Sequence, residues 1–202
     1  MEKSLGGVED NVGTIWSLNT RMNYAAGKAY PRLFANYDHG FLTPINNAPI
    51  WIRTSVGRSF GDKSSPFANF YFGGFGNNYI DKLESNRYRQ YDSFPGVEIN
   101  AIGADNYAKG LVEWNLPAWK FAHLGDMYLY CNWARLSLFS SGLLSNIGRG
   151  GNSGLYANIG AQLDFRIVLF SYLNSTFSVG YAKATDRHGK LSDEVMVSLK
   201  IL

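Results

Sequence analysis

Leu155-Tyr-Ala-Asn-Ile-Gly-Ala-Gln-Leu-Asp-Phe-Arg-Ile167 is the stretch that decides the fold. Taken at alternate positions, Leu155, Ala157, Ile159, Ala161, Leu163, Phe165 and Ile167 form one row, and Tyr156, Asn158, Gly160, Gln162, Asp164 and Arg166 form the other. Successive side chains of a strand point to opposite faces, so this is a strand with one greasy and one wet side. A soluble sandwich strand rarely keeps such a run of apolar positions in phase. A barrel strand that crosses a bilayer has to, because each of its outward positions meets lipid.

The same alternation recurs in both directions from this stretch. Downstream, Thr176 to Ala184 sets Phe177, Val179 and Tyr181 against Ser178, Gly180 and Ala182, and a final strand sets Val195, Val197, Leu199 and Ile201 against Glu194, Met196, Ser198 and Lys200. Upstream, Val12 to Tyr24 carries Trp16, Leu18, Met22 and Tyr24 on one parity and Ser17, Asn19, Arg21 and Asn23 on the other. Ile50, Ile52, Thr54 and Val56 oppose Trp51, Arg53, Ser55 and Gly57 in the same way. Strands are also expected over Tyr30–Phe41, interrupted by Pro31, over the aromatic run Phe67–Phe72, from Tyr107 to Leu116, and from Met127 to Phe139. Pro117 to Asp126 and Ser140 to Gly154 are expected to be connections. The pattern describes one segment, 1–202, with about four strands over 12–76, a long loop over 77–106 and about five strands over 107–202. Connections alternate between short and long, as they do in outer-membrane barrels.

The long loop is centred on Asn86-Arg-Tyr-Arg-Gln-Tyr-Asp-Ser-Phe-Pro-Gly96. A loop of this length inside a β protein is uncommon unless it is functional or disordered. Its aromatic and basic content is not a disordered composition, so the loop is expected to fold back onto the body of the protein.

Composition narrows the function. Aromatic residues make up 15% and charged residues only 17%, which suits strands that face lipid on one side. A net charge of +3 with no basic stripe argues against nucleic acid as a partner. Cys131 stands alone, excluding an internal disulfide and a thiolate zinc cluster, and no cofactor or metal site is expected. Met1 to Val8 has no apolar core and no cleavage pattern, so no signal peptide is expected there. His39, His123 and His188 fall in expected turns or loops, without a nucleophile elbow or a His-Glu-x-x-His helix, and an enzyme is not expected. Asp186 beside His188 is the nearest approach to a catalytic pair and reads as ordinary loop polarity.

The order of these features resembles the C-terminal part of an Omp85-superfamily barrel of the bacterial surface antigen type. It comprises an aromatic strand, Gly73-Gly74, a long loop with Arg89-Gln90-Tyr91, a strand with Glu113 before Pro117, and further strands to the C-terminus. The resemblance implies an antiparallel, sixteen-stranded transmembrane β-barrel of which this chain is the C-terminal portion. It also implies a long loop folded into the lumen with an Arg-x-Tyr tip. Arg89 and Tyr91 match that tip, with Gln90 in place of the family's Gly, and Arg87-Tyr88 is the alternative. The implied setting is the bacterial outer membrane. The implied role is insertion of outer-membrane proteins or translocation of polypeptides, with outer-membrane lipid, client polypeptides and assembly machinery as partners. Val195, Val197, Leu199 and Ile201 would line a lateral seam.

Physical chemistry gives the loop tip its expected partner. A guanidinium drawn into a barrel loses water and needs a carboxylate that can take charge-assisted hydrogen bonds. Glu113 and Asp164 both lie on the wetter parity of their strands and are the expected acceptors for Arg89. The competing readings are a passive porin-like channel, with the loop narrowing the pore, and a soluble β-sandwich binding module, which the long two-faced strands fit poorly.

Overall fold

The computed structural model describes residues 12–25, 27–44, 48–62, 65–76, 86–126, 128–148 and 153–201. It contains β1 (Gly13–Ala25), β2 (Lys28–Leu42), β3 (Pro49–Ser59), β4 (Phe70–Phe72), β5 (Ile102–Ala104), β6 (Asn106–Asn115), β7 (Trp119–Asp126), β8 (Leu129–Ser145), β9 (Gly154–Leu169), β10 (Leu173–Asp186) and β11 (Leu191–Ile201). Nine of these form one antiparallel sheet in the order β1-β2-β3-β6-β8-β9-β10-β11, with β7 also paired to β8. β4 and β5 pair only with each other. Among the described residues the sheet is open, with β1 at one edge and β11 at the other.

β6 and β7 occupy the same side of one strand. β6 lies against Ser137–Ser145 of β8, and β7 lies against Leu129–Ala134 of the same strand. They are two halves of one crossing, separated at Leu116-Pro117-Ala118 because proline has no N–H to give to the ladder. Trp119–Asp126 is therefore a strand and not the connection expected from sequence. Lys120, His123 and Asp126 had masked its alternation, and the register is irregular between Lys120 and Leu124. Among the described residues the sheet thus has eight positions, five of them after residue 105.

The segment before the long loop differs. Three strands of the sheet precede it, not about four, because the aromatic run leaves the sheet: Pro66–Ala68 is a 3-10 turn and Phe70–Phe72 pairs inside with β5. Between the end of β3 at Ser59 and the start of β6 at Asn106, the described residues are 60–62, 65–76 and 86–105, so the segment off the sheet begins earlier than the expected 77–106. Its residues 77–85 lie outside the described residues.

The two faces of the sheet separate as the alternation requires. Trp16 is 75% exposed, and Leu18, Met22, Ile159, Val195 and Val197 are exposed on the outer face. Glu113, Ser137, Asn158, Gln162 and Asp164 are buried on the inner face. An apolar outer row is stable only against hydrocarbon, and the buried inner row follows from the segment that covers it.

That segment carries its own apolar packing into the lumen. One cluster joins Phe70, Phe72, Phe94 and Ile102 to Tyr107, Leu143 and Ala184 of the wall. A second joins Phe75 and Tyr88 to Leu111, Phe139, Ala182 and Met196. Phe70 and Phe72 meet the Tyr107 ring edge-on at 4.9 and 4.7 Å. Burying one Phe contributes roughly 2 kcal/mol, whereas a buried ion pair has a net value near zero once desolvation is counted. Apolar burial therefore draws the segment inside, and polar contacts fix where it stops.

Candidate functional site: the inward loop and its latch

Glu113 is the centre of the polar contacts. β6 places it between Trp51 of β3 and Phe139 of β8, facing inward and fully buried. The loop reaches it through a 3-10 turn at Arg87–Arg89, closed by Arg89 N–H donating to Asn86 O at 3.1 Å. One turn of this tightness sets Tyr88 and Arg89 side by side. The Tyr88 hydroxyl donates to Glu113 Oε1 at 2.9 Å, and Arg89 Nε donates to Oε2 at 2.9 Å and Oε1 at 3.0 Å. Arg89 Nη2 donates to Oε1 as well. The Tyr88 ring stacks on Phe139 at 4.3 Å with 13° between planes, which fixes the direction of its hydroxyl.

The wall contributes the second guanidinium. Arg53 of β3 donates from Nε to Glu113 Oε2 at 3.3 Å and from Nη1 to Asp38 Oδ2 of β2 at 2.7 Å, lying over the Trp51 ring at 4.7 Å. In these contacts the carboxylates of Asp38 and Glu113 face the guanidiniums of Arg53 and Arg89, so each buried charge meets an opposite one. That balance is what permits ionised groups to stay buried.

Further ties hold the rest of the loop. Lys109, four positions before Glu113 on the same inward row, donates from Nζ to Gln90 O at 2.9 Å, Tyr91 O at 3.2 Å and Ser93 O. An ammonium has three N–H donors, and here they meet three loop carbonyls. Asn158 of β9 donates from Nδ2 to Pro95 O at 2.8 Å while its Oδ1 accepts from Ser141 N at 2.8 Å. On β11, Glu194 accepts from Phe75 N at 3.3 Å and from Gly96 N at 3.0 Å, and Ser192 Oγ donates to Gly96 O.

Two glycines make the path possible. At Gly73, φ is 148° and a Cβ would fall 1.9 Å from Glu98 O. At Gly96, φ is 93° and a Cβ would lie 2.7 Å from Ala184 N of β10. The second is a close approach of loop backbone to barrel wall that any larger residue would push apart.

Burial also acts on the loop's ionisable groups. It pushes the Asp92 carboxyl above its ordinary value, against a smaller opposing pull from Lys109. It pushes the Tyr88 and Tyr91 hydroxyls up too, with Glu113 adding to the effect at Tyr88 and Asp92 at Tyr91.

The structure brings Arg89 to Glu113, one of the two expected acceptors. Asp164 is held elsewhere: Gln162 Nε2 and Ser178 Oγ donate to its Oδ1 at 2.7 and 2.6 Å, and Arg135 Nη2 lies 3.8 Å from its Oδ2. Tyr91 does not join the Glu113 network and stacks on Phe34 of β2 at 4.7 Å. Arg87 sits half-buried beside Gly76. Val195, Val197, Leu199 and Ile201 form the exposed outer row of the edge strand β11. Sequence reasoning missed Arg53, Asp38, Lys109 and Glu194. The signal was present in each case as a charged residue on the lumen-facing parity of a strand.

Two of the three histidines are placed differently from expectation. His39 lies within β2, its Nδ1 hydrogen-bonded with Thr14 Oγ1 at 2.9 Å, and His123 lies within β7. The Asp186 carboxylate accepts from the backbone N–H groups of His188 and Lys190, both at 2.9 Å, and so closes a turn.

A family model described as the OMP85 superfamily matches residues 30–148, from the second strand through the loop and its latch to the end of β8. No curated protein and no solved structure matches the chain. An antiparallel sheet with a lipid-facing apolar row, an inward loop latched on Glu113 and a family match over more than half the sequence lead to one conclusion: this chain belongs to the OMP85 superfamily and is an outer-membrane β-barrel of that type.

Proposed function

We propose that this barrel handles polypeptides, inserting outer-membrane proteins or passing chains across the membrane, and that it does so without catalysis. The observation that carries this reading is the tie between the edge strand and the loop. Among the described residues β11 is the last strand of the sheet, paired with β10 on one side, and an edge strand of this kind is where an extended client chain can add as a new strand. The same strand holds the loop through Glu194 and Ser192. A client that displaced β11 would therefore also release Phe75 and Gly96, so engagement at the seam and loosening of the lumen would be linked.

The porin reading fits less well. A porin lumen is polar and water-filled. Here two apolar clusters fill the space between loop and wall.

The test places a photo-crosslinking amino acid at successive positions of β11 in cells. Capture of nascent outer-membrane or exported polypeptides is expected at several of them. If none is captured, and depletion of the protein leaves outer-membrane protein levels and secretion unchanged, the reading fails and ion flux becomes the function to measure.

A further inference from the structure

We infer that the inner wall carries, at the periplasmic mouth of the barrel, a docking site for an extended acidic polypeptide segment. Lys120, Trp133, Arg166, Thr176 and Lys200 form one row across β7, β8, β9, β10 and β11, each in register with the next. Residues paired across antiparallel strands share a face. Two positions along the same strands, Arg135, Asp164 and Ser178 are buried on the inner face, so this row faces inward as well. Its cations are spread from 120 to 200 along the chain, and only the register of the sheet brings them together.

The row lies at the end of the sheet opposite the inward segment. There β7 ends at Asp126 and β8 begins at Leu129, while β9 ends at Leu169 and β10 begins at Leu173. Such short turns mark the periplasmic end of an outer-membrane barrel, and long loops mark the other. Along β8 the row is six residues from Phe139, the register partner of Glu113, or about 20 Å beyond the latch. Lys120 is exposed, and Trp133, Arg166, Thr176 and Lys200 are half-buried, so a chain entering from the periplasm meets them before it meets the loop.

Charge and spacing name the occupant. The row holds three cations and no carboxylate. Asp164, in the next row, is held by Gln162 and Ser178 and faces Arg135 at 3.8 Å, and Asp126 pairs in register with Leu129 on the lipid-facing parity. Arg166 donates from Nη1 to Thr176 Oγ1 at 3.3 Å, a neutral oxygen that does not balance its charge. Neighbouring strands stand about 4.8 Å apart, so each cation is about 10 Å from the next. A phosphate or a single carboxylate meets one of them at a time. An extended chain rises about 3.3 Å per residue, so acidic residues three apart fall on successive cations. Trp133, between Lys120 and Arg166, offers a ring face to the residues in between. Complementary charge of this kind guides a chain to its site and fixes its register. The inference rests on the polypeptide-handling reading and deepens it by giving the chemistry of the chain met at the mouth.

The test uses the native protein in detergent micelles and a fluorescein-labelled peptide with Glu at every third position and Ser between, beside the same peptide with Gln for Glu. Fluorescence anisotropy is expected to show that the Glu peptide binds, that added salt weakens it, and that the Gln peptide binds far less. Arg166→Gln combined with Lys200→Gln is expected to weaken binding about tenfold, and Arg166→Glu combined with Lys200→Glu to move the preference to a Lys peptide. Heat-modifiable mobility selects the variants that have assembled, and the comparison of the two peptides needs no substitution. A photo-crosslinking amino acid at Thr176 is expected to capture the Glu peptide, and one at Val197, on the outer row, is not. Equal binding of the Glu and Gln peptides, or binding unchanged by the substitutions, overturns the inference. So does displacement by inorganic phosphate where chloride at equal ionic strength has no effect, which would mark a single-anion site. Crosslinking in cells from Thr176 that yields lipid and no polypeptide overturns it too. Capture at β11 tests the handling of polypeptides without this row, so the two readings fail separately.

Discussion

Glu113 serves two guanidiniums and one hydroxyl, so its loss and the loss of Arg89 are not equivalent. Glu113→Ala leaves Arg53 and Arg89 buried without their shared carboxylate and is expected to cost about 3–5 kcal/mol. Arg89→Ala leaves Glu113 paired with Arg53 and is expected to cost less, about 2 kcal/mol. Unfolding midpoints in detergent micelles rank the two, and equal effects would contradict the shared network. Asp92 makes a pH-dependent prediction. Its carboxyl is raised above the ordinary value by burial, so the folded loop favours the protonated form. This contribution is complete below the unfolded carboxyl's range and is lost as the pH rises through the folded-state value. Asp92→Asn is therefore expected to stabilise the protein at neutral pH, with the gain vanishing in acid, and paired melts at the two pH values check it. Arg89 and Glu113 were legible as a pair because a buried guanidinium needs a carboxylate. Asp164 was equally eligible by parity, and the choice between them required the path of the loop.

The elements were legible in proportion to how cleanly lipid imposes its rule. β9 shows the alternation throughout because one of its faces is wholly apolar. β7 hid behind Pro117 and its polar residues. The aromatic run around Phe70 misled in the opposite sense: packing against Tyr107 inside the lumen selects the same alternating aromatics as packing against lipid. Two substitutions probe how the loop is seated. Gly96→Val would bring side-chain atoms into Ala184 of β10, and it is expected to lift the loop from the wall and open it to added protease while the strands stay protected. Glu194→Ala removes the acceptor for two loop amides and is expected to increase protease access in the same segment, although the substitution lies on another strand. Unchanged cleavage in the second variant would mean that edge and loop are independent.

Across the sheet as a whole, the described part of the inward segment packs two apolar clusters against the inner face. A deletion of 61–104 with a short linker is expected to convert a poorly conducting protein into an open pore in planar bilayers, with conductance rising severalfold, since it removes the loop side of both apolar clusters. Conductance as high in the intact protein would mean that the loop leaves a channel beside it. The all-β class and outer-membrane character could be read from alternation and aromatic content alone. An incomplete portion of a larger barrel was expected as well, and the sheet is open among the described residues.

The bonds from Glu194 to Phe75 and Gly96 also impose an order in time. A ribosome makes the loop long before it makes β11, so the loop's amides wait for an acceptor through the synthesis of every strand in between. Seating of the loop at Phe75 and Gly96 therefore waits for β11, and a chain broken off before β11 is expected to hold its loop more loosely. In this way a strand made well after the loop supplies the contacts that hold the loop's two ends in place.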